Sequence, residues 1–161
     1  MIIRRLRPDE WAVFRDVRLR ALADAPDAFG STHAREVAQS DDEWQALVRS
    51  NERAIFIATT GGNSVGLAIG APQRGEADAA GLFAMWVAPQ SRGHGIGAAL
   101  IDAVATWARR EGYQSISLGV ETTNESAIAL YTRWGFADTG ARVPLRDNSD
   151  LMIRIMVARL D

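Results

Sequence analysis

The feature that most constrains this chain is a stretch apolar on both faces, residues 80–88, that runs into a turn crowded with glycine. The turn reads Val87-Ala88-Pro89-Gln90-Ser91-Arg92-Gly93-His94-Gly95-Ile96-Gly97-Ala98-Ala99-Leu100. A strand apolar on both faces must be covered on both, so it belongs in the middle of a sheet. Beyond the turn, Ile96, Leu100, Val104 and Trp107 share one face of a helix over residues 94–111, and Gly112 supplies its stop. Glycines between a strand and a helix let the backbone approach a ligand closely and leave several N–H groups pointing outward. The positive end of the helix dipole adds about 0.3–1 kcal/mol per contact with an anion. Such a turn suits a phosphate or pyrophosphate, to which Arg92 can add a charge-assisted contact.

The elements around this centre follow from pattern and punctuation. Residues 2–6 predict a short strand. Pro8-Asp9-Glu10 opens a helix whose apolar face is Trp11, Phe14, Val17, Ala21 and Leu22. A loop follows, and Ser40-Asp41-Asp42-Glu43 is a capping box that starts a helix reaching about Ser50. Residues 54–60 and 64–71 are strands joined at Gly61-Gly62-Asn63. Residues 115–121 form a strand, residues 124–134 a helix ended by Gly135, and residues 136–143 and 151–159 a last pair of strands. In the final strand Leu151, Ile153, Ile155 and Val157 alternate cleanly. The order is β-α-α-β-β-β-α-β-α-β-β: one mixed α/β domain over residues 1–161, antiparallel first, with a β-α-β crossover in the middle.

Composition removes whole classes of chemistry. The 161 residues contain no cysteine, which excludes disulfides, thiolate zinc sites and a cysteine nucleophile. All 18 basic residues are arginine, which excludes a Schiff-base lysine, a P-loop lysine and any other catalytic lysine. His33 and His94 have no metal-ligand spacing, so no metal is expected. A net charge of −2 offers no basic field for nucleic acid. The start of the chain lacks the apolar stretch of a signal peptide, and no run approaches a membrane span, so a soluble cytoplasmic protein is expected.

Without lysine the turn is not a P-loop. A dinucleotide fingerprint is closer: Gly93, Gly95 and Ala98 match its glycine spacing, and Glu121 ends the next strand where a ribose-binding acid would sit. Against it, residues 89–92 separate strand from first glycine, and too little chain follows Glu121 for a doubly wound sheet. The plainest alternative is a tight turn with no ligand. A fourth reading is a resemblance. Arg92, Gly95 and Gly97 in Arg-x-x-Gly-x-Gly, preceded by Phe83-Ala84-Met85-Trp86-Val87 and Pro89, resemble the acetyl-CoA signature of the GNAT superfamily of N-acetyltransferases. About thirty residues on, Asn124-x-x-Ala127-x-x-Leu130-Tyr131-x-x-Trp134-Gly135-Phe136 is similar to that family's second motif.

The resemblance implies a mostly antiparallel sheet flanked by helices, with a splayed parallel pair of central strands between which acetyl-CoA enters. It implies that backbone groups of Met85, Trp86 and Val87 pair with the pantetheine arm. The N–H groups of Arg92, Gly93, His94, Gly95, Ile96, Gly97 and Ala98 would receive the pyrophosphate, which a leucine at Gly97 would block. Asn124 and Ala127 would lie near the cofactor; Asn124 also reads as a helix N-cap. Tyr131 would be the general acid for the leaving thiolate, and a core tyrosine is the plainer reading. The N–H of Val87 would hold the oxyanion. Ser115, Ser117 and Gly119 form a small face that leaves room for this ligand or for a closely packed helix.

The general base is less legible. Some members of the family have a glutamate within the strand where this chain has Gly119; Glu121, two residues on and on the same face, is a weak substitute or a surface acid at a strand end. His33, Glu36, Glu76 and Asp78 are candidates for a water-relayed base. An ε-amine with pKa near 10.4 is neutral roughly once in 2,500 molecules at pH 7, an α-amine about one time in ten. The absence of a strong base thus suits an α-amine or an activated amine. Residues 25–37 and 142–150 are expected to shape the acceptor pocket, with Phe29 as a wall and His33 and Glu36 within it. The expected activity is acetyl transfer to a primary amine of a small molecule or a peptide N-terminus; the alternative is a CoA-binding sensor module of the same fold with little turnover. An exposed final strand would be an edge on which a second copy could pair.

Overall fold

The computed structural model describes residues 1–161. Its elements are β1 (Ile2–Arg5), α1 (Trp11–Asp24), α2 (His33–Val37), α3 (Asp41–Arg49), β2 (Ala54–Thr60), β3 (Asn63–Pro72), β4 (Ala79–Val87), α4 (Ile96–Arg110), β5 (Ser115–Glu121), α5 (Glu125–Trp134), β6 (Ala137–Pro144) and β7 (Met152–Arg159). Short 3-10 turns cover Pro26–Ala28 and Pro89–Ser91. The order expected from pattern holds, with α2 added inside the segment read as loop. No helix is long and apolar enough to cross a membrane.

Local chemistry accounts for most boundaries. Ser40 accepts from the N–H of Glu43 while Glu43 accepts from the N–H of Ser40, so the capping box forms as read. Gly61 and Gly62 both take positive φ, as a two-residue hairpin turn requires, and register Thr60 against Asn63. The start of α1 differs from expectation. Pro8 and Asp9 lie outside the helix, because the Glu10 carboxylate turns back to the Arg4 guanidinium (2.7 Å) and the N–H of Arg7 (3.0 Å). The Arg4 hydrogen bond leads in holding the Glu10 carboxyl below its ordinary range.

All seven strands form one sheet, in the order β1-β2-β3-β4-β5-β7-β6. Every neighbouring pair is antiparallel except β4 and β5. The final strand is therefore not an edge: β7 lies between β5 and β6, and β6, exposed along its length, holds the edge. One face is covered by α4, whose Ile96, Leu100, Val104 and Trp107 are buried as expected. The other carries α1, whose Phe14, Val17, Ala21 and Leu22 are buried, with the Phe14 ring edge-on to the fully buried Trp44 of α3.

The feature that positions the site is the failure of β4 and β5 to stay together. They pair only at Ala79, Ala80 and Gly81 against Ser115, Ile116 and Ser117, and then separate. On its other side β4 is irregular too, its register with β3 shifting between Leu67 and Ile69. Within that bulge Ala84 has φ of +56°, a left-handed conformation that costs a non-glycine residue about 1–2 kcal/mol. A parallel sheet interior would normally satisfy both edges of β4. Here the second half of one edge faces an opening.

Candidate active site at the strand opening

Alternation along the ladder tells which groups face the opening. Ala88 donates its N–H to Val65 of β3 (2.8 Å). Val87, one residue earlier, therefore turns its N–H and C=O away from β3, toward the side β5 has vacated. Trp86, registered with Leu67, turns its backbone to β3, and its ring packs on the opposite face from Met85. Of the three backbone positions named from the motif, Val87 turns its groups toward the opening, whereas those of Trp86 belong to the β3 ladder.

Past the 3-10 turn the chain presents a row of unpaired donors. No acceptor within the protein receives the N–H of Gly93, His94, Gly95, Ile96, Gly97 or Ala98. The first intrahelical bond of α4 runs from Ala99 to the Gly95 carbonyl (3.1 Å). Gly93 and Gly95 take φ of +80° and +81°, and a Cβ at either would meet only open space. Glycine is needed there for conformation, and the result is a concavity of N–H groups at a helix N-terminus, suited to an anion. Arg92 departs from its expected part. Its N–H bonds to Pro89 (3.3 Å), and its guanidinium turns back to the Val87 carbonyl (2.9 Å) and the Asp24 carboxylate (2.8 Å). A Cβ added at Gly97 would lie 2.8 Å from Leu130 Cδ2 and 3.3 Å from Met85 Cε. The bare glycine lets β4, α4 and α5 converge. His94 is exposed, its ring within 3.3 Å of the Ser91 carbonyl.

Leu130 at that convergence precedes Tyr131. The tyrosine is buried, edge-on to Phe136 at 5.8 Å, and its hydroxyl bonds to no protein group. Burial pushes its pKa well above the ordinary phenol value, so it holds its proton at any physiological pH. It is both a core tyrosine and a protonated donor. Asn124 caps α5, accepting from the N–H of Ala127 (3.3 Å). Trp134 anchors α5 to α4 through Asp102 (2.9 Å).

The acceptor side departs further from expectation. Glu36 is buried and held bidentate by Arg18 at 2.8 and 2.9 Å, so it is not a free base. Phe29 is buried beneath the same guanidinium, 4.9 Å from ring centre to Cζ, and is core rather than an open wall. His33 is exposed at the first turn of α2. Glu121 is buried, not a surface acid. One of its carboxylate oxygens receives both the N–H and the hydroxyl of Thr123, which closes the β5–α5 turn. Glu76 and Asp78 precede β4, and its nine residues separate them from Val87 by about 25–30 Å. On the small face of β5, a Cβ at Gly119 would lie 2.7 Å from Ile153 Cδ1 of β7, and Ser117 donates to Gln73 (3.0 Å). No cluster of three His, Asp or Glu side chains could hold a metal ion.

Several contributors escaped the sequence reading. Phe83, 43% exposed, folds its ring over Gly81. Arg146, inside the segment 142–150 expected to shape the pocket, ties it to the other expected segment, reaching from the β6–β7 loop to the carbonyls of Pro26 (2.8 Å) and Phe29 (3.0 Å). Ala84 carries no signal, since glycine or asparagine would be the residues to suggest its conformation. Asp24 did carry one: it is an acid in the last turn of a helix, where the dipole disfavours it.

An opening lined by a free strand N–H and ended by a turn suited to an anion is what comparison with known proteins then bears on. The fold matches yncA from Salmonella typhimurium, solved with acetyl-CoA as its cofactor, at a TM-score of 0.81 over 100% of this chain and 94% of that one, with 21% identity. Mycothiol acetyltransferase of Salinispora arenicola is 31% identical over 149 residues, 88% of this chain and 46% of the relative. N-acetyltransferase 8F1 of Rattus norvegicus is 33% identical over 92 residues, 55% of this chain and 42% of the relative. The chain thus spans less than half the length of these curated relatives. Residues 15–136, which contain the opening, the glycine turn and Tyr131, match the Acetyltransferase (GNAT) family, and the chain belongs to it.

Proposed function

We propose that this chain is an acetyl-CoA-dependent N-acetyltransferase that moves the acetyl group directly to a primary amine of a small molecule or a peptide N-terminus. The observation that carries the reading is the row of unpaired N–H groups from Gly93 to Ala98 at the end of an opening into which Val87 aims its own N–H. The residues fit the donor substrate. The turn binds the pyrophosphate, and Val87 pairs with the arm and thioester in the opening. As the amine attacks, Val87 donates to the carbonyl oxygen as it gains charge, a contact worth most in the transition state. As the C–S bond breaks, Tyr131 donates its proton to the leaving sulfur, and the proton shed by the newly acylated nitrogen returns, directly or through water, to the phenolate. A thiol near pKa 8.5 is already a fair leaving group, so this acid works at the low end of the usual ~10²–10⁴-fold.

The acceptor follows from what the site lacks. Glu36 is paired with Arg18, Glu121 with Thr123, and Glu76 and Asp78 are a strand length away. With no free carboxylate among these candidates, and only the exposed His33 left of the residues named, the site suits an α-amine or another amine that is substantially neutral near pH 7. The same lack supports the second reading, a CoA-binding sensor with little turnover. The test is thiol release from acetyl-CoA against amino acids, short peptides, polyamines and aminoglycosides at pH 7 and 9, with Tyr131→Phe alongside. The enzyme reading expects release that depends on one amine class and falls in Tyr131→Phe. Tight, equal binding of CoA and acetyl-CoA with no amine-dependent release would favour the sensor.

A further inference from the structure

The face of the sheet opposite α4 is covered unevenly. A Cβ at Gly70 would press on Trp107 and Val104, so Gly70 and its partner Leu82 look toward α4. Alternation then turns Gly81 and Phe83 the other way. A Cβ at Gly81 would meet Phe83 and Gln73, and Gln73 accepts from Ser117, so Ser117 and Gly119 of β5 share that second face. The ladder carries it on to β7: Ser117 registers with Val157 and Gly119 with Ile155, and the side chain of Ile153 reaches over Gly119. On this face α1 lies over β3 and β4, while Phe83 and Gly119 stay exposed and Ile153, Ile155 and Val157 are half-buried. An apolar floor therefore flanks the β4–β5 opening, with Phe83 on one side and the β7 row on the other.

Charge on this floor is sparse. Glu121 is buried and bonded to Thr123. Arg159, which registers with Ser115, stands at the end where β4 and β5 are still paired. Arg154, registered with Val120, turns to the α4 face, and Arg142 pairs with it there. The Arg146 guanidinium, in the loop that enters β7, adds only positive charge.

The anion-binding turn opens α4, so in the proposed transfer acetyl-CoA arrives from the α4 face and the amine from the face opposite. We infer that the acceptor is an α-amine carrying an apolar side chain, which packs on Phe83 and the Ile153–Ile155 row beside the opening. The inference rests on the acetyltransferase reading and narrows its substrate. A polyamine or an aminoglycoside keeps positive charge after one of its nitrogens turns neutral, and this floor has no free carboxylate to receive it. An apolar side chain instead removes from water a surface that is now wet.

The experiment is thiol release from acetyl-CoA with glycinamide, alaninamide, valinamide, leucinamide and phenylalaninamide, beside spermidine, in the unsubstituted chain, Phe83→Ala and Ile155→Thr. The amides share an α-amine and differ in the side chain alone. Thermal melts establish that each variant is folded. The expected result is a kcat/KM that rises about tenfold from glycinamide to leucinamide, with spermidine the poorest, and a leucinamide-to-glycinamide ratio that falls about threefold in each variant. A flat series, release confined to spermidine, or a ratio untouched by either folded variant overturns the inference and leaves the acetyltransferase reading standing. So does sedimentation as a dimer that both substitutions dissociate, because a second copy then covers the floor. Where a variant unfolds, the amide series in the unsubstituted chain still decides. Equal, tight binding of CoA and acetyl-CoA with no release to any amine overturns that reading and the inference with it.

Discussion

The two sides of the β4–β5 opening are built from different materials. On the side proposed for the cofactor, the groups on offer are main-chain N–H donors, made available by left-handed glycines at positions 93 and 95 and by a strand that has lost its neighbour. On the acceptor side the working surface is side chains, and most of its polar ones are committed to each other: Arg18 with Glu36, Arg146 with the carbonyls of Pro26 and Phe29, Glu121 with Thr123, Ser117 with Gln73. The contrast has a physical source. A backbone site tolerates almost any side chain that leaves the conformation intact, but it requires glycine where φ is positive. A side-chain site requires no residue type in particular, only that each buried polar group find a partner. The first kind is rigid and reusable; the second is free to change with the acceptor.

That contrast can be broken by substitution. The largest effect is expected from Val87→Pro, which deletes the donor facing the opening without touching the β3 ladder; kcat should fall by ~10²–10³ while CoA still binds at the turn. An unimpaired kcat would remove backbone donation from the account. Next comes Glu36→Ala, which strands a part-buried guanidinium between Phe29 and empty space. It should cost about 3 kcal/mol of stability in a denaturant melt, with CoA affinity unchanged, since the acceptor side does not build the turn. A parallel loss of CoA binding would mean that the two sides are not separate.

Tyr131→Phe tests the proposed acid. Its hydroxyl has no protein partner, so thermal stability should hold while kcat falls about 10²-fold. Burial raises the folded pKa above that of a free phenol, so the folded state favours the protonated ring. That contribution to stability is complete below about pH 10 and is lost only as pH rises toward the raised value. The rate profile should accordingly show no alkaline limb from this residue below about pH 10, and one at pH 8 would assign the acid elsewhere.

A smaller effect is expected from Gly97→Ala, whose methyl would press on Leu130; overpacking of this kind costs about 1–3 kcal/mol. Leu130→Ala in the same chain should recover part of it, whereas a loss confined to CoA affinity would return Gly97 to the ligand. The smallest belongs to Glu121→Gln. The amide oxygen can still accept from Thr123, so the pH profile of kcat/KM should not change, and a lost acidic limb would make Glu121 the base.

The same division governs what could be read from residues alone. The capping box at Ser40, the hairpin at Gly61-Gly62, the crossover around the glycine turn and the caps of α5 were legible because each depends on a residue type in a particular place. The last strand shows the opposite case. Leu151, Ile153, Ile155 and Val157 alternate as a buried face should, yet the buried residues are Met156 and Ala158, which face α4. The apolar row lies half-covered on the acceptor face, with Ile153 over Gly119. Period fixes that a strand has two faces; it does not say which of two apolar faces the core takes. The ties of Glu36, Glu121 and Arg92 were hidden for another reason, since partners 2 to 68 residues away are chosen by the fold rather than by local pattern.

The central claim is that acetyl-CoA is held by backbone donors along one opening. Amide hydrogen exchange with and without saturating acetyl-CoA measures this directly. The account predicts slowed exchange at Val87 and from Gly93 to Ala98, with little change at the hydrogen-bonded Ala88 amide. Binding of acetyl-CoA that leaves those amides exchanging at the free rate would contradict it.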